Sequence, residues 1–260
     1  MDLPRNRLKA ALAEGRQQLG YWCSIDDSAM TELAAGSGYD WLLIDCEHTA
    51  MDARSVLAHL QAAAAYPVDT MVRPSALDPA EIKRVLDLGA QSILVPYVRN
   101  AAEAELASAA VDYAPAGIRG VAGLTRATRF GAVAEYAARA REEIFLAVQI
   151  ETVSALDDLD AILAVPGVDG AFVGPADLAA SMGYRGQPGH PQVRAAAMDA
   201  IRRIRAAGKP AGFLTLDDAG LEEAIAAGSL FTAVEVDAAL LARGAAAVAA
   251  RWRATLAGEG

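Results

Sequence analysis

FLAVQIE (residues 145–151) and GVDGAFVGPAD (residues 167–177) are two apolar, strand-like runs, each of which finishes on a carboxylate: Glu151 and Asp177. Short continuous apolar runs suit strands covered on both faces, as in a parallel sheet with helices outside it. In a parallel α/β protein the strand C-termini converge on one rim, and ligands bind there. Two carboxylates brought to that rim by different strands make a seat for a hard divalent cation.

The same pattern recurs along the chain. Further strand-like runs are LGYWCSI (19–25), DWLLID (40–45), DTMVRP (69–74), SILVPYV (92–98), PAGFLT (210–215) and FTAVEVD (231–237). The intervening stretches read as helices. Asp52, Asp78 and Asp217 stand where N-caps belong, and Gly89, Gly208 and Gly228 where helices should end. Eight such units predict an α/β protein of the (β/α)8 TIM-barrel kind, a single domain over 1–260. An open doubly wound sheet is the alternative, but no GxGxxG follows the first strand. The longest irregular piece, about 113–132, is of a length that usually carries function.

The chain has 260 residues, 54% of them hydrophobic, and a formal charge of −10. That balance argues against a nucleic-acid or anionic-membrane surface, yet leaves room for an anionic substrate beside a metal and an arginine. The amino terminus lacks the apolar core of a signal peptide and no run is long enough for a membrane span, so the expected location is cytoplasmic. Cys23 and Cys46 lie in apolar segments and read as buried thiols.

Several side chains in these positions can carry chemistry. Gln149 shares a strand face with Glu151, because side chains alternate. Asp177 is either a rim ligand or an N-cap for the helix after it. Arg73, fixed before Pro74 at a strand end, suits a bidentate grip on a carboxylate or enolate, or a structural ion pair. His48 follows the second strand with Asp45 and Glu47 beside it, and Asp87 precedes the fourth strand as a residue that could orient it. There is no Gly-x-Ser-x-Gly elbow, Walker loop, HExxH or CxxC, and no lysine ends a candidate strand. A barrel Schiff base therefore has no obvious nucleophile, which favours metal-assisted chemistry.

Taken together, DWLLIDCEH, MVRP, LDLGAQSILVPYV, APAGIRGVAG, AVQIET and GVDGAFVGPADLAASMG resemble the metal-dependent class II pyruvate aldolases. These are the 4-hydroxy-2-oxoheptanedioate and 2-dehydro-3-deoxyglucarate aldolase type, and the match runs from about Gly20 to Gly244. The resemblance implies a divalent ion (Mg²⁺ or Mn²⁺, with Co²⁺ or a similar ion also possible) on Glu151 and Asp177. It implies a 2-oxo acid such as pyruvate, and an aldehyde, as the small-molecule partners. Arg73 would contact the pyruvyl oxygen, with Gln149 beside the substrate and the backbone of Gly174, Pro175 and Ala176 around its carboxylate. His48, oriented by Asp87 or Asp45, would move the proton. Trp22, Phe172 and Leu214 would line the aldehyde's place. The family also implies a homo-oligomer, commonly a hexamer built as a trimer of dimers with exchanged terminal helices, in which the 113–132 loop completes a neighbour's pocket. Glu235 departs from the pattern, which has glycine there.

Two other readings compete. A CoA-ester lyase of the malyl- or citramalyl-CoA type would need basic residues near the mouth, for which Arg119, Arg126 and Arg129 are the candidates. A non-catalytic 2-oxo-acid-binding protein would need a partner-binding extension.

Overall fold

A computed structural model describes residues 1–257. Its strands are β1 (Gln18–Cys23), β2 (Trp41–Asp45), β3 (Asp69–Arg73), β4 (Ser92–Val95), β5 (Phe145–Ile150), β6 (Gly170–Val173), β7 (Ala211–Leu214) and β8 (Ser229–Val236). Each pairs in parallel with the next, and β8 returns to β1, closing the barrel. All eight expected strands are present. The fourth is shorter than its apolar run, because Pro96 cannot donate to the ladder and Tyr97 turns to φ 57°.

Burial divides the apolar side chains as a barrel requires. One cluster, including Trp41, Met71, Leu94, Phe145, Phe172 and Phe231, fills the interior. A larger aliphatic cluster packs the outer face of the sheet against the helices. The helix Arg7–Ala13 stoppers the N-terminal end of the barrel with Leu8 and Leu12. Aromatic bulk inside needs gaps opposite: a Cβ on Gly212 would fall 2.3 Å from the Phe172 ring.

The helix boundaries follow local chemistry. Asp52, Asp78 and Asp217 each accept from a backbone N–H in the first turn of their helix. Gly89, Gly208 and Gly228 leave their helices at positive φ. Cys23 and Cys46 are free and buried, and burial pushes both thiols up to about 12. Among the described residues no helix is long and apolar enough to cross a membrane.

The irregular stretch runs between the helices Ala101–Val111 and Tyr136–Arg139. It follows a helix descending from the rim, so it lies at the N-terminal end of the barrel, away from its own mouth. Ile118, Val121, Leu124 and Phe130 on it are exposed. The C-terminal helix, Asp237–Ala257, buries only its first residue.

Candidate active site

The strand ends build the site in register. Asp45 and Arg73 are direct partners across β2 and β3, so both side chains enter the mouth in one layer. Arg73 donates from Nε to Asp45 Oδ1 at 2.9 Å and from Nη2 to Asp45 Oδ2 at 2.6 Å. Trp22 Nε1 donates to the same carboxylate, and its ring lies 4.8 Å from the Arg73 guanidinium carbon. Burial alone would push Asp45 up. The hydrogen bonds and charge of Arg73 outweigh it and hold the carboxyl below the usual range. Asp45 is therefore the holder of Arg73, not of His48. Its lone pairs are spent on the guanidinium fork, the Trp22 indole and the Glu47 N–H.

The third guanidinium nitrogen, Arg73 Nη1, faces the cavity side. It lies 2.9 Å from Glu47 Oε2 as an ion pair without an aligned hydrogen bond, and 3.5 Å from Gln149 Oε1. Glu47 Oε2 is also 3.6 Å from His48 Nε2. Burial pushes the Glu47 carboxyl up, against the pull of Arg73 and His48. In the sequence it shows only as a carboxylate two residues past Asp45. Its place comes from the bend after β2, where its N–H donates to Asp45 Oδ1.

Glu151 sits one residue past β5 and is 1% exposed, a burial that demands partners. It accepts from the Tyr97 backbone N–H at 2.8 Å and from Gln149 Nε2. Tyr97 can donate there because Pro96 ends β4 and the chain turns. The proline was visible in the sequence, but its use was not. Burial first, opposed by the Tyr97 N–H, and then the negative charges of Glu47 and Asp177 bring the Glu151 carboxyl up to about 7. Asp177 is the third residue of the helix Pro175–Ser181. That helix is capped by Gly174 without a side-chain bond, so Asp177 is not an N-cap. A Cβ on Gly174 would stand 2.5 Å from Glu151 Oε2 and 2.8 Å from Gln149 Nε2.

These residues open on a cavity of about 730 Å³. Trp22, His48, Phe172, Leu214, Pro175 and Ala176 are in its wall. Met198, Phe213 and the Arg194–Asp217 pair also line it and were not anticipated. Glu235 is absent from the wall. It pairs with Arg243, and its neighbour Val236 faces the cavity.

Asp87 is not brought to His48 within the chain. It ends the helix Pro79–Asp87 at the opposite end of the barrel and accepts from Arg119 Nη2 at 2.7 Å. His48 instead has Glu47 beside it, with 62% of its side chain exposed. Arg119, Arg126 and Arg129 belong to that opposite end too, away from the mouth of their own chain.

The donor set fits a hard divalent ion. Two carboxylates just past the ends of adjacent strands, one of them buried among like charges and without a cation of its own, are relieved by one. Among the described residues no three His, Cys, Asp or Glu side chains are grouped as a complete cage. Such an ion would take its remaining ligands from substrate and water, as oxygen-loving cations do in sites open to substrate.

Fold and mouth together define a (β/α)8-barrel enzyme whose chemistry lies at the strand C-termini. Comparison with known proteins narrows the class. Residues 18–244 match the HpcH/HpaI aldolase/citrate lyase family. The chain is 54% identical to a pyruvate aldolase from Rhizobium etli, over 97% of this chain and 99% of that protein. It is 52% identical to a hydroxypyruvate/pyruvate aldolase from Sagittula stellata, over 97% and 100%. An HpcH/HpaI aldolase/citrate lyase family protein from Burkholderia cenocepacia J2315 superposes with a TM-score of 0.91 at 35% identity, covering 95% of this chain and 99% of that one. The chain belongs to the HpcH/HpaI aldolase/citrate lyase family and is a carbon–carbon lyase.

Proposed function

We propose that the protein catalyses reversible, divalent-metal-dependent aldol cleavage of 4-hydroxy-2-oxo acids, giving an aldehyde and pyruvate or a pyruvate-like 2-oxo acid. The observation that carries the reading is the pairing of a buried carboxylate, Glu151, with a rigidly forked Arg73 across one cavity. Mg²⁺ or Mn²⁺ on Glu151 and Asp177 would act as a Lewis acid toward the 2-oxo acid's oxygens.

The chain's own groups account for the rest. Arg73 aims a fixed positive charge at the oxygen on which charge develops as the carbon–carbon bond breaks. Asp45 and Trp22 keep that fork from rotating, so little reorganisation is needed at the moment of reaction. The first-turn N–H groups of the helix Pro175–Ser181 lack partners inside the helix and face the substrate carboxylate, with Gly174 allowing close approach. His48, the exposed base at the rim, takes the hydroxyl proton in cleavage and returns it in synthesis. Apolar walls from Phe172, Phe213 and Leu214 receive the aldehyde.

The working unit in this proposal is a cytoplasmic homo-oligomer, a hexamer. The C-terminal helix supports it by exposing Leu241 at 56%, Trp252 at 56% and Leu256 at 85%. The loop 113–132 of one copy then covers the mouth of another. Asp87, tied through Arg119 to that loop, arrives with it beside the neighbour's His48.

The test is to incubate the protein with pyruvate or hydroxypyruvate, a panel of aldehydes, and Mg²⁺ or Mn²⁺, and to identify products by mass. Four-carbon-or-longer 4-hydroxy-2-oxo acids that vanish with EDTA and return with metal are expected. Full activity in excess chelator, or an adduct trapped by borohydride, rules the reading out.

A further inference from the structure

The N-terminal end of the barrel holds a second cavity, of about 280 Å³. Its wall includes Asp69 and Thr70, where β3 begins, and Gln91, just before β4. It is therefore at the opposite end from the mouth.

Its charge is the reverse of the protein's. The chain carries 33 acidic side chains against 23 lysines and arginines. Yet this wall has Arg5, Arg7, Arg126 and Arg129 with one carboxylate, Asp69. Arg7 uses that carboxylate, at 3.4 Å. Burial pushes Asp69 up in spite of Arg7, which weakens the one negative charge further. Arg126 donates only to main-chain carbonyls, Leu88 O at 2.7 Å and Leu60 O at 3.5 Å. Those bonds sit near helix C-termini, which favour a cation, but they bring no full negative charge. Burial, and then the charge of Arg129, push the Arg126 guanidinium down. Among the described residues neither Arg5 nor Arg129 has an ion-pair partner.

The arrangement is built rather than incidental. A Cβ on Gly89 would lie 2.8 Å from Arg126 Nη1, so the glycine admits the guanidinium. Arg129 and Phe130 are consecutive left-handed residues, φ 51° and 55°. Such a backbone conformation is strained for a residue with a side chain. The buried Thr128 hydroxyl holds this turn by accepting from the N–H groups of Thr125 and Gly131. Clustered like charge opposes folding, and an anion between the arginines would relieve it.

We propose that this cavity is a second binding site, for a small oxyanion with two or more negative charges, of the inorganic phosphate or short dicarboxylate class. Arg5, Arg126 and Arg129 grip it, and the Thr70 and Tyr136 hydroxyls in the wall add donors. The volume lies at the lower end of ligand pockets, which excludes a nucleotide or CoA.

The experiment is isothermal titration of the full-length protein with inorganic phosphate and, separately, succinate, at constant ionic strength set with chloride. Three proteins are compared: wild type, Arg73→Ala to disable the mouth's own anion grip, and the double variant Arg5→Ser/Arg129→Ser. Both arginines in that pair are exposed, so the double variant keeps its fold. One saturable site per chain is expected in wild type and in Arg73→Ala, with the tighter of the two probes naming the ligand's chemistry. In the double variant affinity should fall by at least ~10-fold, the loss of charge-assisted hydrogen bonds. No saturable binding of either probe overturns the proposal. So does equal binding by the double variant, or binding that disappears with Arg73→Ala.

Discussion

Arg73 reaches the mouth with its orientation already fixed, by two bonds to Asp45 and a tryptophan face. Replacing it with alanine should cut kcat by ~10²–10³, as removal of one oxyanion donor does. Lysine should recover little, since an ammonium cannot reproduce the planar fork. A variant with normal kcat and only a raised KM would make Arg73 a uniform binder of the substrate. The same pair carries a pH signature. Asp45 is held below its ordinary value, so its share of stability is present above the unfolded aspartate's pKa of ~3.9 and is lost as pH falls through the lower folded value. Urea unfolding measured stepwise below pH 4 should show this slope in wild type and a shallower one in Asp45→Asn. Identical slopes would mean that another carboxylate dominates. His48→Ala should leave Mn²⁺ binding intact while cleavage falls by ~10²–10⁴. Lost metal affinity would make His48 a ligand, and undiminished cleavage would pass the base role to Glu47.

At the scale of elements, the β5–β6 pair and the helix Pro175–Ser181 hold the two carboxylates that the proposed metal needs. Gly174 lies against Glu151 and Gln149, and its missing side chain leaves room for both. Backbone at Gly174 is ordinary for alanine (φ −98°), so Gly174→Ala should fold with little change in Tm. The added methyl must displace Glu151 or Gln149, and Mn²⁺ affinity should drop ~10- to 100-fold, the usual effect of disturbing a ligand's support. Titration of Mn²⁺ followed by electron paramagnetic resonance measures it. Unchanged affinity would show that the proposed metal does not depend on this contact.

The whole molecule sends its loop 113–132 and Asp87 to one end and His48 to the other. In a monomer they never meet, whereas in the proposed hexamer they meet across an interface. Asp87→Asn and His48→Ala should each be nearly inactive alone. Subunits mixed after dissociation and reassembly should regain activity, because some mouths combine an intact His48 with a neighbour's intact Asp87. Absence of any recovery in mixed assemblies, shown to exchange by mass, would confine catalysis to one chain. Trp252→Glu on the exposed terminal helix should shift the sedimentation coefficient toward smaller species.

Strand positions were legible because each strand of a closed parallel barrel is buried on both faces, and continuous apolar runs report that directly. Helix ends were legible because an aspartate cap and a left-handed glycine act locally. Glu151, Asp177, Arg73 and Gln149 were legible as mouth residues because a strand's end fixes its rim, whatever the rest of the fold does. Partnership was not legible. Asp45 could face His48 or Arg73, and only the register of β2 against β3 gives it to Arg73. Asp87 lies before a strand rather than after one, and the direction of the helix carrying it sends it to the far end. Tyr97 and Glu47 acquire their roles from turns whose course depends on what they pack against. The second arginine group joins residues 5, 7, 126 and 129, which are far apart in sequence. Sequence alone determined which rim each strand-end residue would occupy, because chain direction in a parallel barrel is a local property. Which charges face one another was decided by the closed tertiary structure, because electrostatic partners are set by distance through space.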